Sequence, residues 1–209
     1  MKENAKFLNN HFSDVQETIE RDRLETWPMI TTANLGYLRE LFENMDGFIS
    51  DAVSEAVSKG FTGYNIDFEP TDKATRQDAE NYAVFLDRFA DALHQHDVLL
   101  SVDIASWNEF WDFQRIANTS VDRVITMDTY AGGFETFKMR LEKAVSLIGV
   151  DKLGVGIMRV NPNTRQPLTD KELTDRFELM KKHGIQELDI WDMPIPQNYV
   201  PFLKQFRKD

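Results

Sequence analysis

Apolar and polar positions alternate along this chain in two rhythms, one of period two and one near 3.6, from end to end. Residues 7–23 predict a helix, and a strand follows at 27–32. A helical stretch over 35–59 is expected to break near Asp46-Gly47. The next strand covers 63–69, and Pro70 ends it by withholding a backbone donor. Over 78–96, Tyr82, Phe85, Phe89 and Leu93 recur at spacings of three and four, the stripe of a helix with one buried face. A strand at 98–104, a short helix at 107–117 and a strand at 123–129 follow. Then come a helix at 134–148, a strand at 153–160 and a helix at 169–183 closed by Gly184. A strand at 187–191 and a helix at 199–206 complete the chain.

Strand and helix thus alternate six times, and the strands are too apolar to have one wet face. That pattern specifies an α/β fold with a parallel sheet covered by helices. No repeat, low-complexity tract or Pro/Gly linker divides it, so residues 1–209 read as one domain. An open doubly wound sheet would place its ligand chemistry where strand order reverses, usually beside a Gly-rich turn. No such turn is present, and Gly154-Val155-Gly156 lies inside a strand. A closed barrel instead collects chemical groups at the carboxyl ends of many strands. Here those ends carry Thr31-Thr32, Asp67 and Glu69, Asp103, Asp128 and Tyr130, Arg159 and Asn161, and Trp191 and Asp192. The (β/α)8 TIM-barrel type is therefore expected.

Composition narrows the chemistry. With 42% hydrophobic and 28% charged residues the chain is ordinary for a folded domain. A net charge of −11 argues against nucleic acid and against anionic membrane surfaces, which need clustered Lys and Arg. A neutral substrate remains compatible. The absence of cysteine excludes disulfides, thiolate metal sites and cysteine nucleophiles. No segment has the apolar length of a membrane helix, and residues 1–10 lack the apolar stretch of a signal peptide. The protein is therefore expected either to stay inside the cell or to begin upstream of this chain.

Side chains on a strand alternate faces, so Asn65, Asp67 and Glu69 share one face while Tyr64, Ile66 and Phe68 share the other. The apolar trio belongs against helices, which turns the polar trio into the barrel with Glu69 at its mouth. Two acids about 7 Å apart on one strand are costly to bury as charges, so one tends to keep a proton. A carboxylic acid held protonated near neutrality is what general acid catalysis of glycoside cleavage requires. On this pattern alone, structural acids and ligands of a hard cation such as magnesium, joined by Asp103 and Asp128, stand close behind catalysis. The histidines read as bland. His94 and His96 complement a helix end, and His11 and His183 belong to the surface. Trp111, four residues after Trp107 on the expected helix, reads as core, while Trp107 lies nearer the strand end.

The run Gly60-Phe61-Thr62-Gly63-Tyr64-Asn65-Ile66-Asp67-Phe68-Glu69 resembles D-G-x-D-x-D-x-E, the mark of glycoside hydrolase family 18 at the end of its fourth barrel strand. It is most similar to the chitobiase-like branch, which reads N-I-D-F-E there. Ser101-Val102-Asp103-Ile104-Ala105 with Trp107 resembles the branch's fifth strand, Met127-Asp128-Thr129-Tyr130 the sixth, and Ile190-Trp191-Asp192-Met193 the eighth. The resemblance implies retaining hydrolysis of β-1,4-linked N-acetylglucosamine, in chito-oligosaccharides or a chitobiose core, by substrate assistance. It implies that Glu69 is the acid and base, that Asp67 and Tyr130 hold the substrate acetamide, and that Trp191 stacks under the sugar. Asn65, Asp103, Asp128 and Trp107 are the further substrate-binding candidates. Neither metal nor other cofactor is called for. By resemblance the protein would be secreted or lysosomal.

Two positions depart from the motif. Thr62 stands where its first acid belongs, and Ala131 follows the tyrosine where an acid is common. Fewer buried carboxylates mean weaker repulsion at Asp67, so reduced activity is expected. The rival reading is a catalytically weak or silent carbohydrate-binding relative. Strand count matters too: a barrel of this type has eight strands, and only six are found, which leaves the first two without counterpart. The expectation is a fragment or truncated chain, with strands 27–32 and 187–191 unpaired on their outer sides and self-association through those open edges a further expectation.

Overall fold

A computed structural model of the protein describes residues 16–161, 164–191 and 193–206. The expected helix at 7–23 is present as α1 (Gln16–Asp22), and its earlier part, with His11, lies outside the described residues, as does Asp192. Six strands alternate with helices. They are β1 (Met29–Thr32), β2 (Gly63–Phe68), β3 (Leu99–Ile104), β4 (Arg123–Thr126), β5 (Leu153–Met158) and β6 (Glu187–Trp191). Between them lie α2 (Leu35–Glu43), α3 (Met45–Lys59), α4 (Arg76–His94), α5 (Phe113–Ala117), α6 (Phe134–Ile148) and α7 (Asp170–His183), and α8 (Val200–Phe206) follows β6. Among the described residues no helix is long and apolar enough to cross a membrane.

The chain forms two compact units. One comprises Met1–Asp103 with Trp107–Asp122, the other Ile104–Ser106 with Arg123–Asp209. In the first, strand order follows the chain, with β1 parallel to β2 and β2 parallel to β3. Thr31 lies beside Asp67 and Asn65 beside Ser101. In the second, β4, β5 and β6 are also parallel and in chain order, with Gly156 beside Asp189 and Met158 beside Trp191. Among the described residues β1 pairs along one side only, with β2, and β6 along one side only, with β5.

The first unit's core is aromatic. Tyr64, Ile66 and Phe68 are wholly inaccessible and pack toward α3 and α4, as the alternation requires. Phe42, Phe48, Phe68, Tyr82, Phe85, Phe89 and Phe110 form a linked set of rings, with Tyr82 stacked on Phe110 at 4.3 Å and Phe85 on Phe68 at 6.0 Å. Each buried ring removes a large apolar area from water, and paired rings add a further contribution of about 0.5–1.5 kcal/mol. The second unit's core is mainly aliphatic, built from Leu141, Leu153, Val155, Ile157, Leu173 and Met180 with Phe137 and Tyr199.

Several boundaries differ from expectation, each for a local reason. The break in 35–59 falls at Asn44, whose backbone leaves the helical region and whose N–H caps Leu41, and Gly47 stays helical. Trp27 and Pro28 precede β1, and the Trp27 ring covers Gly63, where a Cβ would lie 2.4 Å from it. The helix expected at 78–96 starts two residues earlier because Thr75 and Asp78 form a capping box. At 107–117 only α5 is helical, so Trp107 and Trp111 do not share a helix. Asn108 instead accepts from the Ala74 and Phe110 amides and donates to the Pro70 and Asp72 carbonyls, and Asp112 caps α5. The strand expected at 123–129 stops at Thr126, because the Thr126 hydroxyl accepts from the Asp128 amide and Thr129 bonds back to the Thr126 carbonyl. Met127–Tyr130 therefore forms a 3₁₀ turn. The last expected helix begins with a separate 3₁₀ turn at Gln197–Tyr199.

Candidate active site

In the first unit the inward face of β2 carries the polar row. Asp67 is 4% exposed, and one carboxylate oxygen accepts from the Thr31 hydroxyl of β1 at 3.4 Å. One pleat earlier, the Asn65 amide donates to Ser101 at 3.0 Å and to Asp103 at 3.3 Å on β3. The Asn65 amide thus ties β2 to β3. Its own oxygen is buried, with no hydrogen-bond partner among the described residues. Glu69, one residue past the strand, is half-buried, and its amide continues the ladder by bonding the Thr32 carbonyl at 3.0 Å. Behind the row lies Tyr82 of α4, wholly buried. Burial first, then Asp103 and Asp67, pushes its phenol well above the usual range. A tyrosine so placed stays neutral, and the acids near it sit in a poorly solvated setting.

Thr62 takes a different role from the motif acid it replaces. Its hydroxyl accepts from the Thr26 amide at 3.1 Å, and its amide bonds the Thr26 carbonyl, so it anchors the start of β2. Trp107 is 58% exposed, and its ring meets the buried Trp111 edge-on at 5.4 Å. Asn108 holds the turn after β2 against this segment, which places Trp107 on an ordered loop.

In the second unit the 3₁₀ turn after β4 carries Asp128 and Tyr130. The Asp128 carboxylate accepts from the Ser106 amide at 2.9 Å, and its carbonyl accepts from Arg140 at 2.6 Å. At 4% exposure that carboxylate holds the turn to the Ser106 segment. Thr129 pins the turn to β5 by sharing its one hydroxyl proton between the Gly156 carbonyl at 2.7 Å and the Thr126 carbonyl at 2.9 Å. Tyr130 then lies flat against β5. A Cβ on Gly156 would lie 2.3 Å from its ring, so only glycine permits the approach. The Tyr130 hydroxyl donates to Asp189 of β6 at 3.0 Å. Burial pushes the Asp189 carboxyl above the usual aspartate range, and the bond from Tyr130 opposes that rise. Trp191, on the same face of β6 one pleat further on, is 42% exposed.

Sequence reasoning missed Asp189. The period of two that placed Asp67 beside Asn65 also places Asp189 with Trp191, so a signal was available. Gly156 was read only as a misplaced glycine motif, and its purpose depends on the ring it meets. His94 pairs with Asp122 at 2.9 Å, which is more specific than the helix-end role expected, and His183 is half-buried with a buried Nε2 rather than a plain surface residue. Among the described residues no group of three or more His, Cys, Asp or Glu is placed to hold a metal ion.

No protein-family profile matches the chain, and no curated protein matches it. Solved structures do. A chitinase from Chromobacterium violaceum ATCC 12472 superposes with a TM-score of 0.80 at 12% identity, over 96% of this chain and 86% of the other. A class V chitinase from Pseudomonas fluorescens Pf-5 gives 0.79 at 14% identity, over 97% and 86%. The spore cortex-lytic enzyme SleL of Bacillus megaterium QM B1551 gives 0.78 at 17%, over 96% of this chain, which spans 64% of that protein. Others are chitinases of glycoside hydrolase family 18 from Pseudoalteromonas aurantia and Flavobacterium johnsoniae. With six parallel strands in chain order and helices between them, this chain shares the α/β-barrel fold of the family 18 chitinases.

Proposed function

We propose that the protein is a glycosidase that cleaves β-1,4-linked N-acetylglucosamine, with Glu69 as general acid and then general base. The observation that carries this reading is the graded row on β2. Asp67 is nearly inaccessible and held by a hydroxyl, while Glu69, two residues on along the same face, is only half-buried at the strand end. An acid that must meet solvent-borne substrate belongs at the open position, and one that orients a group belongs at the closed one. The solved structures of similar fold support the reading, since several of them are chitinases.

In this mechanism Glu69 gives its proton to the glycosidic oxygen as the bond to the anomeric carbon breaks. The carbonyl oxygen of the substrate's own acetamide attacks that carbon from the opposite face, held by Asp67 through its N–H. Glu69, now a carboxylate, takes a proton from water, and the hydroxide attacks the anomeric carbon and releases the acetamide oxygen. Two inversions leave the configuration retained. The reading assigns Tyr130 a hydrogen bond to a sugar acetamide, and Trp191 a stacking contact with the apolar face of a sugar. Thr62 holds backbone rather than adding a carboxylate, so Asp67 works with less repulsion than the full motif supplies.

Incubation with an aryl chitobioside tests the proposal. Release of the aryl group, abolished by Glu69→Gln, is the expected result. Binding without release would identify a carbohydrate-binding protein, and the absence of both would overturn the reading.

A further inference from the structure

The Tyr130 hydroxyl has one proton to donate, and in this structure it goes to Asp189. While Asp189 is a carboxylate it can only accept, so it competes with any other acceptor for that proton. Once Asp189 is protonated, its own hydroxyl can donate to the Tyr130 oxygen, and the Tyr130 proton is released to point elsewhere. Donating and accepting along such a chain also strengthens the outgoing bond. The ring cannot turn aside to escape the choice, because Gly156 and the Thr129 bond hold the turn against β5.

We propose that Asp189 is a positioning residue that decides where the Tyr130 hydroxyl proton points, making engagement of a sugar acetamide by Tyr130 acid-dependent. The proposal rests on the glycosidase reading above, and adds to it a proton switch in the second unit. Among the described residues Asp189 has neighbours on three elements. Its neighbour on β5 is Gly156, which carries no charge. On the 3₁₀ turn, Tyr130 is its donor and the Asp128 carboxylate is turned to the Ser106 amide. On β6, Glu187 is paired with Arg123 at 2.9 Å, and beside Trp191 the Arg159 amide bonds the Trp191 carbonyl at 3.1 Å. The direction of the Asp189 shift agrees, since burial holds its proton to higher pH than an exposed aspartate would.

The test uses the intact protein in two measurements. First, carbon-detected NMR of Asp-labelled protein follows the Asp189 carboxyl with pH, assigned by its absence in Asp189→Asn. Its titration should lie above the usual aspartate range and move higher in Tyr130→Phe, which removes the bond that opposes the rise. No change in Tyr130→Phe would overturn the inference. Second, kcat/KM against an aryl chitobioside is measured across pH for the unmodified protein, Asp189→Asn, Tyr130→Phe and the double variant. The unmodified protein should lose activity above the Asp189 titration, approaching about tenfold per pH unit for a single ionisation. Asp189→Asn should lack that limb and exceed the unmodified protein at the high-pH end, and the substitution should change nothing in the Tyr130→Phe background. Profiles that superimpose after scaling would overturn the inference while leaving the glycosidase reading intact. Absence of both hydrolysis and sugar binding in the unmodified protein would overturn the reading itself.

Discussion

In the first unit the inward acids Asp67 and Asp103 sit on regular strands, at 4% and 6% exposure, behind a wall of wholly buried aromatic rings. In the second, Tyr130 stands on a single 3₁₀ turn and Asp189 on β6, a strand buried only part-way along its length. The first arrangement is held by packing on the far side of the sheet, where Tyr64, Ile66 and Phe68 cannot shift without disturbing seven linked rings. The second is held by a few directed contacts: Thr129 to the Gly156 carbonyl, the ring on Gly156, and the hydroxyl on Asp189. Packing energy is distributed, whereas a directed contact is lost whole when one atom goes. The two units should therefore answer substitution differently.

The largest effect is expected at Glu69. Glu69→Gln keeps the shape and loses the transferable proton, so kcat should fall about 10²–10⁴-fold with sugar affinity changed by no more than a small factor. Equal loss of affinity and turnover would make Glu69 structural. Next comes Phe85→Ala, which opens a cavity in the first unit's core and should cost about 3–5 kcal/mol in denaturant unfolding. A loss below about 1 kcal/mol would refute the claim that the ring cluster holds β2. Gly156→Ala tests the second unit. Its Cβ meets both the Tyr130 ring and the Thr126 carbonyl, at 2.3 Å and 2.8 Å, and the clash should cost about 1–3 kcal/mol of stability. Activity should drop with it, since the tyrosine must move, and full activity would show that Tyr130 has no part in the reaction.

Smaller effects sharpen the contrast. Trp191→Ala should weaken binding of a chito-oligosaccharide by about 1 kcal/mol, measured by calorimetry, through lost stacking. Unchanged affinity would move the platform to Trp107, the other exposed indole. The smallest effect is in stability against pH at Asp189. Its folded-state carboxyl titrates above the unfolded one, so its stabilising contribution is fully present below the ordinary aspartate range and is lost as pH rises through the folded value. Asp189→Asn should accordingly gain stability at pH 7 relative to the unmodified protein and gain nothing at pH 3. The first-unit acid Asp78 has the opposite sign. The Arg39 guanidinium, with help from Thr75, holds its carboxyl well below the usual range, so its contribution is present at neutral pH and lost only in strong acid.

Where the chain's own periodicity carried the signal, the reading of the fold was close. Helix 134–148 and strand 187–191 match residue for residue, and α7 ends at Gly184 in the left-handed conformation that glycine favours. These elements depend on contacts within a few residues, and their patterns are long. The misplaced boundaries lie where a polar side chain outbids the backbone pattern. Asn108 and Asp112 shorten the helix at 107–117, and Thr126 and Thr129 curl the end of β4. A hydroxyl or amide can bond its neighbours in several ways, and neither spacing nor hydrophobicity selects among them.

Among the candidate residues the same division holds. Alternation alone put Asn65, Asp67 and Glu69 on one face and the aromatics on the other, because a strand's geometry leaves no alternative. Which polar groups those residues meet was not written locally. Asn65 faces Ser101 and Asp103 across 36 and 38 positions of sequence, and Tyr130 reaches Asp189 across 59. Those pairings come from strand order and register, which set which side chains of distant segments stand opposite one another. Local pattern is enough for the alternation of elements and for the face of each acid. That Asp128 accepts from Ser106, that Gly156 makes room for a ring, and that Asp189 on the last strand accepts the tyrosine's hydrogen bond all depend on segments far apart in the chain meeting in the fold.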